Sequence, residues 1–144
     1  MTADEIIALL DLKPHTEGGW YRQTWAEGTA DGARGSGTCI YFLLKAGERS
    51  HWHRVDAVEI WHYYAGAGVT LKIAESAEGP AQVHKLGPSL EAGERPQVII
   101  PKDFWQSAAL TQDAGWSLVG CTVSPGFRFE GFDLAPPDFT IPTD

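Results

Sequence analysis

Ser50-His51-Trp52-His53-Arg54-Val55-Asp56-Ala57-Val58-Glu59-Ile60-Trp61-His62-Tyr63-Tyr64 reads as two short strands, the second placed to pair back on the first. Alternate side chains of an extended strand share a face, so His51 and His53 are expected to project together. Glu59 opens the second run. Two histidines on one strand and a glutamate on its neighbour resemble the facial ligand set of a divalent metal. An imidazole beside a carboxylate is equally the usual acid–base pair. A lone histidine is more often a surface or hydrogen-bonded core residue; three of the chain's five within thirteen residues point to a site. Alternation puts Glu59, Trp61 and Tyr63 on one face and Ile60, His62 and Tyr64 on the other. His62 is therefore read as a side chain under the sheet or at a subunit interface.

Outward from this pair, the chain is a series of short strands punctuated by turns. Thr38–Leu44, Val69–Ala74, Ala81–Leu86, Gln97–Ile100, Gln106–Leu110 and Trp116–Val123 alternate with glycine- and proline-bearing breaks. That spacing predicts an all-β sandwich or barrel. Thr2-Ala3-Asp4-Glu5 ahead of Ile6, Ile7, Leu9 and Leu10 predicts a capping box and a short N-terminal helix, with Pro14 as its stop. Gly18-Gly19 leads into an aromatic strand, Trp20–Trp25. Residues 27–37 read as a flexible connection too polar and glycine-rich to pack. The tail, with Pro136, Pro137 and Pro142, is expected to wrap an outer surface. One domain is expected over 1–144, with its core over 14–134 and a Pro-rich tail over 135–144.

The formal net charge of −8 argues against nucleic acid and against anionic membrane surfaces, both of which need clustered Lys and Arg. No apolar run is long enough to span a bilayer, and the N-terminus lacks the basic-then-apolar order of a signal peptide. A cytoplasmic protein is expected. Cys39 and Cys121 lie in separate apolar runs without metal-binding spacing, and a reducing compartment would keep them as thiols. Six Trp, four Tyr and six Phe supply core material and also walls for an organic ligand.

Several blocks in order carry a resemblance. They are His15-x-Glu17-Gly18-Gly19-Trp20-Tyr21-Arg22, Ile40–Leu44, His53-Arg54 with Glu59-Ile60-Trp61-His62, Gly93–Gln97, Pro101 with Trp105-Gln106, and Cys121–Phe127. Together they resemble the cupin-5, or DUF985, family of unassigned function. The resemblance covers nearly the whole chain. It implies a cupin jelly-roll β-barrel with a short N-terminal helix, a homodimer, and a pocket in the barrel mouth, with no known reaction. The general cupin metal motif is similar in His51-x-His53, Glu59 (one residue late) and Gly66. Its second half departs: in Pro101-x-Asp103-x-x-Gln106, Asp replaces Gly and Gln replaces the last His ligand. A glutamine carbonyl is a weaker transition-metal donor than imidazole. The ligand set this implies is His51, His53 and Glu59, with Gln106.

Two readings of the pocket stand side by side. In the first, the protein is an enzyme of isomerase or epimerase type acting on a small organic or sugar-like anion. His53 and Glu59 would be its acid–base pair and Tyr63 a proton partner. Arg22 would clamp the anion. Trp20, Trp61, Phe104, Trp105 and Gln106 would line the pocket, and a divalent metal would be the optional cofactor. In the second, the same pocket belongs to a non-catalytic module that binds or senses a small ligand.

Overall fold

The computed structural model describes residues 1–29 and 31–144. Helix α1 (Ala3–Leu10) begins at the expected box. The Thr2 hydroxyl accepts from the Glu5 N–H at 3.2 Å, and the Glu5 carboxylate accepts from the Thr2 N–H at 3.4 Å. It ends before Pro14, because Asp11 turns into the left-handed region at φ 54° and its N–H bonds back to Ala8 O. Asx residues tolerate that conformation better than most. Ile6 and Leu12 bury themselves with Leu43 against the outside of a sheet.

Eleven strands follow: β1 (Lys13–Pro14), β2 (Trp20–Ala26), β3 (Thr38–Lys45), β4 (Arg49–Val55), β5 (Val58–Gly66), β6 (Val69–Ala74), β7 (Gln82–Leu86), β8 (Gln97–Ile100), β9 (Trp105–Leu110), β10 (Trp116–Ser124) and β11 (Phe132–Leu134). They form two antiparallel sheets, β1-β2-β3-β10-β5-β8 and β11-β4-β9-β6-β7. So β4 and β5, expected to pair with each other, belong to different sheets and pair with β9 and β11 and with β10 and β8 instead. The inward residues of both, among them Phe42, Trp61, Leu71, Ile73 and Val119, make one core. The tail lies on the outside of the second sheet, where Phe139 and Ile141 pack with Trp52 and Trp105. No helix among the described residues is long and apolar enough to cross a membrane.

Two features were not legible as strands, and both position the site. β1 leads into the loop that carries His15 and Glu17. β11 pairs Phe132 with Val55 and Leu134 with His53 along the edge of β4. Residues 27–37 also differ from the expected loose connection. Arg34 donates to both oxygens of Asp56, at 3.1 and 2.6 Å, and its Nε donates to Gly126 O at 2.7 Å. The ion pair ties this segment to the turn between β4 and β5, and the bond to Gly126 O ties it to the chain around Phe127. Ala30 lies outside the described residues.

The His51-x-His53 alternation fails because β4 contains a bulge. Ser50 faces Ala108 and His53 faces Gln106, so two residues, His51 and Trp52, oppose Ser107 alone. The extra residue puts Ser50 and His53 on the inner face and turns His51 outward, where its Nε2 donates to Pro136 O at 2.8 Å.

Gly18 is required here. Its φ is 108°, and a Cβ at this position would collide with the carbonyl oxygen of Arg49. Gly18→Ala should cost at least about 1 kcal/mol in chemical unfolding. An unchanged midpoint would show that the loop carrying Glu17 is not held against β4.

Candidate functional site

One mouth of the barrel encloses a cavity of about 140 Å³. An engineered cavity of about 150 Å³ admits benzene, which sets the scale of the guest. Its polar wall is His15, Glu17, His53 and Glu59; its aromatic wall is Tyr21, Phe127, Phe129 and Phe132. Thr38, Gln23 and Cys121 complete the polar edge.

Hydrogen bonds fix most of the proton positions. His53 Nδ1 lies 2.8 Å from His51 O, and a carbonyl only accepts. Nδ1 therefore carries the proton, and Nε2 of the neutral ring carries the lone pair. The same Nδ1 lies 3.3 Å from Glu17 Oε2, and that oxygen also accepts from the Ser50 hydroxyl. His15 has the opposite tautomer, because its Nδ1 accepts from the Glu17 N–H at 3.1 Å. The 3.3 Å approach of Glu17 Oε1 to that lone pair is cohesive when the carboxyl holds a proton. Behind the cavity, Trp61 Nε1–H donates to Gln106 Oε1 at 3.0 Å, and Gln106 Nε2–H donates to Glu59 Oε1 at 2.8 Å. An indole nitrogen only donates, so this chain sets the orientation of the Gln106 amide.

Burial decides the charge states. It raises the Glu59 carboxyl from 4.5 to about 7, against the pull of His53 and the Gln106 hydrogen bond. Burial raises Glu17 as well, against the pull of His15. His53 and His15 are both lowered by burial, in spite of the carboxyls beside them. The Cys121 thiol is pushed well up, chiefly by burial and then by Glu59, which leaves it an inert neutral neighbour.

Of the residues singled out from the sequence, His53 and Glu59 meet in the cavity, and Gln106 braces Glu59 from behind. The carboxylate in contact with His53 is Glu17, however, not Glu59. Tyr63 lies four residues along β5 from Glu59, about 13 Å of strand. Its hydroxyl donates to Gly66 O at 2.7 Å, away from the cavity. Arg22 sits between Tyr21 and Gln23, which both line the wall, so alternation turns it outward. There it is exposed and donates to Leu10 O at 3.4 Å. Trp20 packs under α1 and donates to Glu48 at 3.0 Å. Trp61 and Phe104 belong to the core, and Trp105 faces outward under Arg54. His62 bonds Thr122 on the outer face at 3.1 Å.

His15, Glu17 and the three phenylalanines were missed as site residues. The polar pair ahead of Gly18-Gly19 was visible, but nothing local says that this loop folds back over β4. Its position comes from the bond of His51 N–H to Glu17 O at 2.8 Å.

The expected metal ligands do not fit a metal. His51 points out of the barrel, and the Gln106 carbonyl is engaged by Trp61. Among the described residues, no three His, Cys, Asp or Glu side chains are grouped as a metal would need. Asp103, where the motif expects Gly, keeps the glycine-like backbone with φ 66°.

Two facing antiparallel sheets, closed over a polar cavity in one mouth, define a jelly-roll barrel of the cupin type. The chain belongs to the family described as Cupin superfamily (DUF985), whose model matches residues 4–135. It is similar to a protein of Shewanella oneidensis solved by X-ray crystallography, at 46% identity and a TM-score of 0.86, over 94% of this chain and 85% of that one. A hypothetical protein from Leishmania major is 30% identical, with a TM-score of 0.84, over 94% and 88%. The oxalate decarboxylase of Bacillus subtilis, which has Mn(II) centres, shares the fold at 14% identity and a TM-score of 0.61, over 87% of this chain and 30% of that one. No curated protein matches the chain.

The Glu59 shift makes a stability prediction. Between pH 4.5 and about 7 the folded state keeps a proton that the unfolded chain has lost, so stability falls as pH rises through this window. Glu59→Gln removes that fall and can still accept from Gln106. The variant should gain on the natural chain by about 3 kcal/mol between about pH 4.5 and about pH 8. Parallel pH profiles in chemical unfolding would show that Glu59 titrates normally.

Proposed function

We propose that this cavity binds a small organic molecule and converts it by proton transfer, in an isomerisation or epimerisation. The carrying observation is that one cavity holds a carboxyl pushed up to about 7 beside an imidazole kept neutral. Titratable neighbours pushed apart in this way are the usual mark of an acid–base pair. Glu59 as carboxylate takes a proton from an acidified C–H, and the proton is returned at a second atom in an isomerisation or to the opposite face of the same carbon in an epimerisation. The His53 Nε2 lone pair relays that proton, Glu17 orients His53, and Gln106 orients Glu59. The composition of the molecule is unchanged. The anionic ligand expected from Arg22 loses its clamp, since no Lys or Arg lines the cavity among the described residues.

Glu59→Gln and His53→Ala should each lower turnover by about 100-fold or more. Retained ligand binding with no turnover by the natural protein would favour the non-catalytic binding or sensing module instead. Elemental analysis of the purified protein should find no stoichiometric divalent metal; a full equivalent lost in both variants would overturn the metal-free reading.

We further propose a homodimer. β1 covers β2 only at Trp20 and Tyr21, and beyond them the edge strand runs exposed to Trp25, which is 51% accessible. Light scattering at micromolar concentration should give twice the chain mass; a monomer would remove this proposal.

A further inference from the structure

The geometry points to a small organic cation, with an alkylated ammonium or sulfonium head, as the ligand of the His15–Glu59 cavity. The inference rests on reading that cavity as the ligand site and names the class of molecule it takes.

Three observations converge. First, the aromatic wall is built as a corner. Phe127 and Phe129 meet at 84°, Phe129 and Phe132 at 83°, and Phe127 and Phe132 at 64°, with centroids 5.1 to 6.1 Å apart. Steeply inclined rings present faces and edges in three directions, and ring faces carry the negative end of the quadrupole. Tyr21 contributes a fourth ring, stacked edge-on with His15 at 4.6 Å. Second, two carboxyls, Glu17 and Glu59, share this small space, and no Lys or Arg lines it among the described residues. Arg34 is nearby in the fold, but its guanidinium is committed to Asp56 and Gly126 O. Third, His15 is neutral because its Nδ1 accepts, and burial lowers His53, whose Nδ1–H is held by His51 O, so His53 Nε2 adds a lone pair rather than a positive charge.

A desolvated carboxylate without a counter-charge is costly, and an incoming cation offsets that cost while the rings replace its hydration. An anion would meet two acids and the faces of the rings. The volume suits a trimethylammonium or dimethylsulfonium head and leaves no room for a sugar nucleotide. The formal charge of −8 also draws cations toward the surface. A C–H beside an onium centre is acidified, which gives Glu59 a proton to take.

Isothermal titration of the whole chain with three probes of one shape tests this. The probes are choline, its neutral isostere with carbon in place of nitrogen, and the carboxylate of the same hydrocarbon. Choline should bind about tenfold or more tightly than the neutral isostere, and the carboxylate weakest. Glu59→Gln should erase the preference for choline while leaving the neutral isostere bound. Phe132→Leu should weaken choline more than the isostere. Equal or tighter binding of the isostere or carboxylate, no binding of any probe, or a choline preference that survives Glu59→Gln would overturn the inference. If choline binds in this way but no onium compound is turned over, the proton-transfer reading fails and the cation site stands. If an anion or neutral compound is converted through Glu59 and His53, that reading stands and the cation site fails.

Discussion

Between Ser50 and His53, strand β4 carries one residue more than β9 opposite it, and the pleat must absorb the extra length. Two consecutive side chains, His51 and Trp52, leave the barrel together, and two others, Ser50 and His53, enter it. Most of the site follows from that step. Ser50 reaches the Glu17 carboxyl, and His53 turns its Nδ1–H to the His51 carbonyl and its lone pair to the other side of the ring. Trp52 gives the tail a hydrophobic seat on the outer face. Without the bulge, strict alternation would place His51 inside with His53 and assemble the donor pair of a metal cupin.

The second constraint is electrostatic. Glu17 and Glu59 are buried without a cation, so each carboxyl rises instead of ionising freely. The imidazoles between them stay neutral for the same reason. A metal barrel would meet this difficulty with a divalent ion. Here the outward His51 and the Gln106 amide, tied to Trp61, leave no such donor set. Gln106 instead donates to the Glu59 carboxyl and fixes its orientation. The fold is that of the cupins, while the mouth holds two raised carboxyls and two imidazoles in place of the expected ligand set.

Much of the architecture was legible. The strands at Val69–Ala74 and Gln97–Ile100 run over the expected residues, and most others differ by a residue at an end. The box at Thr2 forms because its hydrogen bonds are made within four residues. His53 and Glu59 were recognisable as pocket residues because three histidines and a glutamate cluster within thirteen residues and both belong to the blocks that carry the family resemblance. Arg22, Trp20 and Tyr63 were misplaced for related reasons. A residue type can name a role, but the direction of a side chain depends on register, and its distance from the site on how far along the strand it lies. Phe127 and Phe129 escaped notice because they lie outside any strand, and Phe132 because it opens a strand of three residues, too short for periodicity to mark an inner face.

Local sequence thus determined the elements of this protein: the capped helix, the succession of short strands, and a histidine and a glutamate on consecutive strands. These depend on contacts between residues close in the chain, which composition and spacing encode directly. Tertiary structure decided which side chains share the cavity. The bulge, the fold-back of the His15–Glu17 loop and the clamp of Arg34 on Asp56 each join residues distant in sequence. So does the burial that raises Glu59, because desolvation is a property of everything packed around a group and not of its neighbours in the chain.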